Sequence, residues 1–410
     1  MKLLKVDTLD EAREKLWNLV KLWTLQTETI SPGEAVNSAH ILAKDLYVSA
    51  DIPGFRRSTV DGYAVVSADT AAAGEAIPVF LKQSGIVSMG KPANFSIVRG
   101  ECAYVPTGGM LPDGADAVVM TEYCESSGGS IAVYEATAPG RGMAEAGEDL
   151  RKDEMLLCRG TLIRPQEAGA LAAAGLMELL VFSPLKIAII STGDELVPPD
   201  KEPEAGEIRD INTYALKALA LKRGFAVTST QVLPDDEEQL EAALKGAILL
   251  NDIILISGGS SQGEKDSTAA VINRSAKPGV FTHGLALKPG KPAILGWDAE
   301  SRTILAGLPG HPVAAMMVFE LLFGWLHDKL FARPSPFLLP ALISCNVPGA
   351  PGRTVCLPVI LHWEEGNYSA EPVFGKSGMI TTLTRSDGYI MIDLNREGLK
   401  KGESVLVHLW

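Results

Sequence analysis

The chain has 410 residues, 46% apolar and 21% charged, an ordinary globular composition with material for two to four domains at roughly 100–200 residues each. Lys and Arg total 37 against 50 Asp and Glu, a formal net charge of −13. A surface that acidic repels polyphosphate chains and anionic membranes, which argues against a general nucleic-acid or lipid-surface binder.

The first fifty residues read as helical. Ser31-Pro32-Gly33-Glu34 has the form of a helix start, with Ser31 as cap, Pro32 in the first turn and Glu34 completing a capping box. Leu16, Leu19, Val20 and Trp23 recur at helical spacing, the pattern of a face packed on a core or a neighbouring subunit. From residue 51 to 149, short apolar runs at 76–81, 102–106, 117–121 and 130–134 alternate with Gly, Pro and Asp, which predicts a β-rich domain. Residues 165–180 are Ala-rich and predict a helix closing at Ser183-Pro184, so that 150–183 joins 1–50 as a helical linker part. The apolar stretch 168–182 is too short to span a bilayer and is broken by Glu178. Met1 to Thr8 lacks an apolar signal core, and a cytoplasmic location is expected.

Residues 184–332 change rhythm. Strands are predicted at 186–190, 226–232, 252–257 and 303–307, helices at Asn212–Arg223, 235–249 and 312–330. Such alternation implies a parallel-rich sheet with crossover helices, whose ligands collect at the carboxyl ends of the strands. The tail, 333–410, has short segments between Pro-Gly, Glu-Gly, Asp-Gly and Lys-Gly turns and predicts a small β-barrel or sandwich. The five cysteines form no CxxC and the six histidines no HxH or HExxH, so neither a disulfide framework nor a Cys- or His-based metal site is expected.

Four loops at strand ends carry chemistry. In Ser191-Thr192-Gly193-Asp194-Glu195, backbone N–H groups and the Thr192 hydroxyl suit an anion, and the two acids suit a metal or a water molecule. Ser257-Gly258-Gly259-Ser260-Ser261-Gln262-Gly263-Glu264-Lys265-Asp266 combines glycines that admit an oxyanion, hydroxyl donors, a following helix start and an acid placed for a phosphate-bridging cation. It lacks the GxxxxGK[ST] pattern of a Walker loop. Lys288-Pro289-Gly290-Lys291-Pro292 holds two lysines on a stiff segment, and Gly307-Leu308-Pro309-Gly310-His311-Pro312 is a rigid loop at a helix start. Asp235-Asp236 opens a helix, where acids are favourable in any case. The β-rich part adds Ser58-Thr59-Val60-Asp61-Gly62-Tyr63-Ala64, Pro106-Thr107-Gly108-Gly109 and Gly147-Glu148-Asp149-Leu150, each of which alone is more often a turn than a site. Neither GxSxG nor GxGxxG after a strand occurs. Together these loops suit a small phosphorylated polyanion with Mg²⁺.

In their order, Asp61-Gly62-Tyr63-Ala64-Val65, Pro106-Thr107-Gly108 with Pro112-Asp113-Gly114-Ala115-Asp116, Gly147-Glu148-Asp149, Ser191 to Leu196, Gly258-Gly259 to Asp266, Lys288 to Pro292 and Leu308 to Val313 resemble the molybdopterin molybdenumtransferase family, to which the gephyrin C-terminal domain is related. Gly378-Met379-Ile380 and Asp387-Gly388 carry the resemblance into the tail. It implies an elongated, multidomain α/β plus β protein: a helical segment (1–50 with 150–183), a β-rich domain (51–149), an α/β molybdopterin-binding domain (184–332) and a C-terminal β-barrel (333–410). It further implies a homodimer with sites shared between subunits. The implied reaction is hydrolysis of adenylylated molybdopterin, release of AMP and insertion of molybdate or tungstate, with Mg²⁺.

Carried over position by position, the resemblance gives Gly258, Gly259, Ser261 and Gly263 to the phosphate and pterin pocket, with Thr192, Gly193 and Asp194 beside it. It gives Glu195 and Asp266 to Mg²⁺ or to the attacked phosphate, and Lys288 and Lys291 to molybdate or to phosphate charge. Pro309, Gly310 and Pro312 shape the pocket, Asp235 falls at a position the family uses, and Asp61, Thr107 and Asp149 come from the partner's β domain. The chain departs from the family where Asn is usual at His311, Ser at Ala314, Val at Ser260 and Gln262, Arg within Met143-Ala144-Glu145, and Asp at Arg56. The departures at His311 and Ala314 keep open an alternative: a molybdopterin-binding or scaffold paralogue with reduced catalysis. The single-domain adenylyltransferase one step earlier shares the α/β part, but the β-rich segments at both ends oppose it.

Overall fold

Successive side chains of a strand point to opposite faces, and in Lys186–Thr192 both faces are apolar. Ile187 and Ile189 enter one buried cluster, Ala188 and Ile190 another. Ile253–Gly258 repeats the pattern with Ile253 and Leu255 on the first side, Ile254 and Ile256 on the second. A strand buried on both faces belongs in a sheet covered by helices on both sides. The computed structural model describes residues 6–37, 40–258, 264–334, 336–364 and 366–410. In it these strands form a six-stranded sheet in the order Ala226–Leu233, Lys186–Thr192, Ile253–Gly258, Thr303–Leu308, Ile294–Asp298, Pro278–His283. The first three pairings are parallel and the last two antiparallel.

The strands expected at 186–190, 226–232, 252–257 and 303–307 are present. The antiparallel pair is an addition that makes the sheet mixed. Helices Leu9–Val20 and Asn212–Arg223 and the helix beginning at Pro312 bury their apolar sides in one cluster. Helices Glu237–Ile248 and Glu264–Ser275 cover the other face, with Leu240, Leu244, Ile248, Val271 and Ile272 inward. Asn212–Arg223 stops at Gly224, whose φ of +89° is a left-handed conformation that glycine adopts without penalty.

Contacts divide the chain into two compact units. One comprises Met1–Ala43, Gly160–Ile163 and Leu180–Trp410, the other Lys44–Arg159 and Arg164–Leu179. In the first, the tail closes into a five-stranded barrel: Thr354–Glu364, Asn367–Pro372, Leu338–Ile343, Ser404–Leu409 and Gly388–Ile392, which pairs back onto Thr354–Glu364. Val359, Ala370, Ile390 and Val407 fill it. The second unit holds a six-stranded sheet in the order Ala117–Met120, Gly62–Val65, Glu101–Val105, Val79–Ile86, Ser130–Val133, Cys124–Ser127, with an apolar cluster on each face.

Two local expectations differ from the structure. The first fifty residues are not helical throughout: Thr27–Ile30 is a strand, and Ile41 and Leu42 bridge to Leu162 and Val181. The β-branched Thr27, Thr29 and Ile30 favour extended backbone. The helix Pro165–Ala173 ends near Gly175, at φ +71°, and Leu179–Phe182 is the strand that pairs with Thr27–Ile30. The Ser31–Glu34 capping box forms as expected: Ser31 Oγ and N donate to the Glu34 carboxyl, and Glu34 N donates back to Ser31 Oγ.

Candidate functional site

The central sheet changes direction between Lys186–Thr192 and Ile253–Gly258. From the first, the chain steps outward to Ala226–Leu233, then returns to place Ile253–Gly258 on the opposite side. Crevices open beyond the carboxyl ends of strands at such switch points. Here the crevice lies over Thr192 and Gly258. A Cβ on Gly258 would collide with the Thr192 hydroxyl and carbonyl oxygens, so only glycine lets the two strand ends come this close.

A pocket of about 230 Å³ occupies this place, with Thr192, Glu195, Asp210, Asn212, Gly258 and Gly310 in its wall. Asn212, the first residue of its helix, joins the loops: Nδ2 donates to Ser257 Oγ at 2.7 Å and to the Gly310 carbonyl at 2.7 Å. Ser191 Oγ and Thr213 Oγ1 lie 2.7 Å apart, and Thr213 N donates to Asp210 Oδ1 at 3.1 Å. Glu195 is exposed. Asp194 Oδ1 accepts from Asp235 N at 3.1 Å, which ties two neighbouring strand-end loops together. Asp236 is the true helix cap, accepting from Glu238 N and Gln239 N, and these bonds, Gln239 N first, hold its carboxyl below the usual range.

Next to this pocket is a cavity of about 430 Å³ between the lysine loop and the barrel. Lys288 and Lys291 line it, as do Arg353, Lys376 and Ser377 from the tail, and among the described residues no Asp or Glu does. The backbone sets this meeting. Leu287–Lys288 adds a parallel strand to Thr354–Glu364, and Thr354 N donates to the Ala286 carbonyl. Gly290 has φ +125°, and a Cβ there would stand 2.8 Å from Leu287 Cδ2 and Val318 Cγ2, so the turn between the lysines requires glycine. At the other wall, Val313 N donates to the Ser377 carbonyl and His311 Nδ1 lies 2.7 Å from Ser377 Oγ. His311 lines both cavities and is their shared edge. Cys356 also lines the larger one, but burial pushes its thiol up to about 12, so it stays protonated.

Of the residues expected at the site, Thr192, Glu195, Gly258, Gly310 and Pro312 meet at the pocket and Lys288, Lys291 and Pro309 at the cleft. Gly193 N donates to the Leu233 carbonyl beside them. Gly259, Ser261 and Gly263 lie outside the described residues, and Asp266 is described only as part of helix Glu264–Ser275. In the second unit, Asp61 Oδ1 accepts from Thr107 N at 2.7 Å and Thr107 Oγ1 at 3.0 Å. Those bonds, the backbone one first, hold the Asp61 carboxyl below its ordinary range. Asp149 is exposed in a turn fixed to Ile52 by its backbone N–H. The sequence reading missed Arg353, Lys376, Ser377, Asp210 and Asn212. The first three follow turns unremarkable in sequence, and the last two read as an ordinary helix entry.

The comparisons agree with this architecture. The MoeA N-terminal region (domain I and II) matches residues 7–175, the "Probable molybdopterin binding domain" residues 188–328, and the MoeA C-terminal region (domain IV) residues 340–410. A molybdopterin biosynthesis protein of Methanocaldococcus jannaschii is 34% identical over 385 residues, covering 92% of this chain and 90% of the relative. The molybdopterin molybdenumtransferase of Haemophilus influenzae is 31% identical, covering 98% of each chain. The crystal structure of the molybdopterin biosynthesis moeA protein from Pyrococcus horikoshii OT3 is 30% identical, with a TM-score of 0.84 over 99% of this chain and 100% of that one. With the family's regions in order and full-length relatives at such identity, the chain belongs to the molybdopterin molybdenumtransferase family of molybdenum-cofactor biosynthesis.

Proposed function

We propose that this chain inserts molybdate into adenylylated molybdopterin and releases AMP. The observation that carries the reading is the cleft in which Lys288, Lys291, Arg353 and Lys376 gather with no acid among the described residues, beside a strand-end pocket whose wall it shares through His311. Four cations without a counter-charge repel one another, and an oxyanion between them removes that cost. Arginine's planar fork binds two oxygens of such an anion at once, and the lysines act as point charges. Ser377 Oγ, 2.7 Å from His311 Nδ1, adds a donor to the anion in the tautomer whose Nδ1 carries the proton.

The strand-end pocket takes the pterin and phosphate. Thr192, Gly258 and Gly310, with Gly259, Ser261 and Gly263 from the following loop, supply hydroxyl and backbone N–H donors. The helix start at Pro312 favours negative charge. Glu195 and Asp266 are the residues that would hold Mg²⁺, an ion that often takes one or two protein carboxylates and completes its shell with water and substrate phosphate. Glu195 is exposed at the mouth and free to do so. An ion held there would supply positive charge to the phosphoanhydride oxygens. Asp194 and Asp235 keep the neighbouring loops in place. Asp61, Thr107 and Asp149 act from the second subunit of a homodimer.

The test is the molybdate requirement of AMP release. Lys288→Ala and Arg353→Ala should each raise the molybdate concentration for half-maximal release by about tenfold or more, since each removes a charged donor to the anion. An unchanged requirement in both contradicts the assignment of the cleft.

A further inference from the structure

Two oxygens in the strand-end pocket have no hydrogen-bond partner among the described residues. Asp210 and Asn212 are 5% and 9% exposed and both contribute to the pocket wall. Asp210 Oδ1 accepts from Thr213 N and Asn212 Nδ2 is committed to Ser257 and Gly310, yet Asp210 Oδ2 and Asn212 Oδ1 make no hydrogen bond to any described residue. Buried polar atoms are nearly always paired, because an unpaired one forfeits its hydration. Two such atoms two residues apart, at the wall of one cavity, mark a place where something else completes the bonding.

Their chemistry restricts what that is. A carboxylate and an amide oxygen only accept, so the missing group presents donors. The same pocket is walled by Leu196, Ile208, Ile211 and Pro312, which suit the faces of a flat ring better than a hydrated cation or a sugar. A 2-amino-4-oxopyrimidine edge, as in a pterin, has adjacent N–H and NH₂ donors. Adenine's edge alternates a donor with ring acceptors.

We infer that Asp210 and Asn212 form the subsite that reads the amino-pyrimidinone edge of the pterin. Asp210 accepts from the paired donors and Asn212 Oδ1 from the outer N–H of the amino group. Because Asn212 also bonds the Ser257 and Gly310 loops, ring recognition and loop geometry are held by one side chain. The inference rests on the pterin-substrate reading above, but its test needs no turnover.

The experiment measures binding to the full chain of 6-carboxypterin and of its 2,4-dioxo analogue, which has oxygen in place of the amino group. Ring fluorescence is the readout, with AMP and Mg²⁺ titrated separately. The native chain should prefer the pterin by about tenfold or more, because the analogue sets oxygen against oxygen. Asp210→Asn keeps Oδ1 for Thr213 and replaces Oδ2 by a donor. It should weaken pterin binding by a similar factor and abolish the preference, with AMP affinity unchanged. Equal binding of the two rings by the native chain overturns the inference, as does no binding of either or a preference that survives Asp210→Asn. Loss of Mg²⁺ or AMP binding in the variant with pterin binding intact also overturns it. Should Asp210→Asn not fold, the native chain's preference alone decides. Ring discrimination without AMP release would defeat the insertase reading and leave this one, and AMP release without discrimination would do the reverse.

Discussion

Asp61 shows how a residue obscure in sequence acquires a defined state. Its turn is one of many in the β-rich part, but Thr107, 46 positions on, donates both its N–H and its hydroxyl to one oxygen. Hydrogen bonds to the charged form favour it, so the carboxyl titrates below its ordinary range and stays ionised into mild acid. Its contribution to stability is present above the unfolded value and is lost as pH falls through the folded one. Thr107→Val removes the hydroxyl bond, and carboxyl NMR should show the Asp61 midpoint move up toward the ordinary range; an unmoved midpoint means the hydroxyl does not matter. At this scale the sequence was only partly informative. Lys288 and Lys291 announce themselves by their spacing between prolines. Arg353 and Ser377, which line the same cleft, do not, because strand pairing between Leu287–Lys288 and Thr354–Glu364 brings Arg353 there and the bond from Val313 N to its carbonyl brings Ser377.

At the scale of elements, legibility follows how local the cause is. Asn212–Arg223 was readable to the residue because its limits are set by neighbouring chemistry: a polar entry and a glycine stop. Strand Thr27–Ile30 was not, because its partner, Leu179–Phe182, lies some 150 positions away. The antiparallel pair Pro278–His283 and Ile294–Asp298 was missed for a related reason. Short apolar runs between Gly and Pro are ambiguous until they find an edge to join. The helix Glu237–Ile248 is held to the sheet by Leu240, Leu244 and Ile248, all at helical spacing and all buried. Leu244 is fully buried, so Leu244→Ala should cost about 2–5 kcal/mol of folding stability through lost burial and a residual cavity. A urea titration checks this, and a loss under about 1 kcal/mol would mean that face is loosely packed.

At the scale of the molecule, a chain with a net charge of −13 keeps four cations in one cleft that no acid among the described residues lines. The overall charge excludes long polyanions without excluding one small one. No helix among the described residues is long and apolar enough to cross a membrane. The proposal of sites shared across a homodimer has its own test. Asp61→Ala and Glu195→Ala are each expected to be inactive, but mixed and allowed to exchange subunits they should recover about a quarter of native activity. Half the dimers are then mixed, and each of those has one intact site. No recovery despite exchange would place both residues in the same subunit's site. The central claim is tested most directly by incubating the purified chain with adenylylated molybdopterin, Mg²⁺ and molybdate, and following AMP and cofactor together. The account predicts that the two appear in equal amounts and that both depend on molybdate. Well-folded protein that releases no AMP, or releases it without forming cofactor, would contradict it.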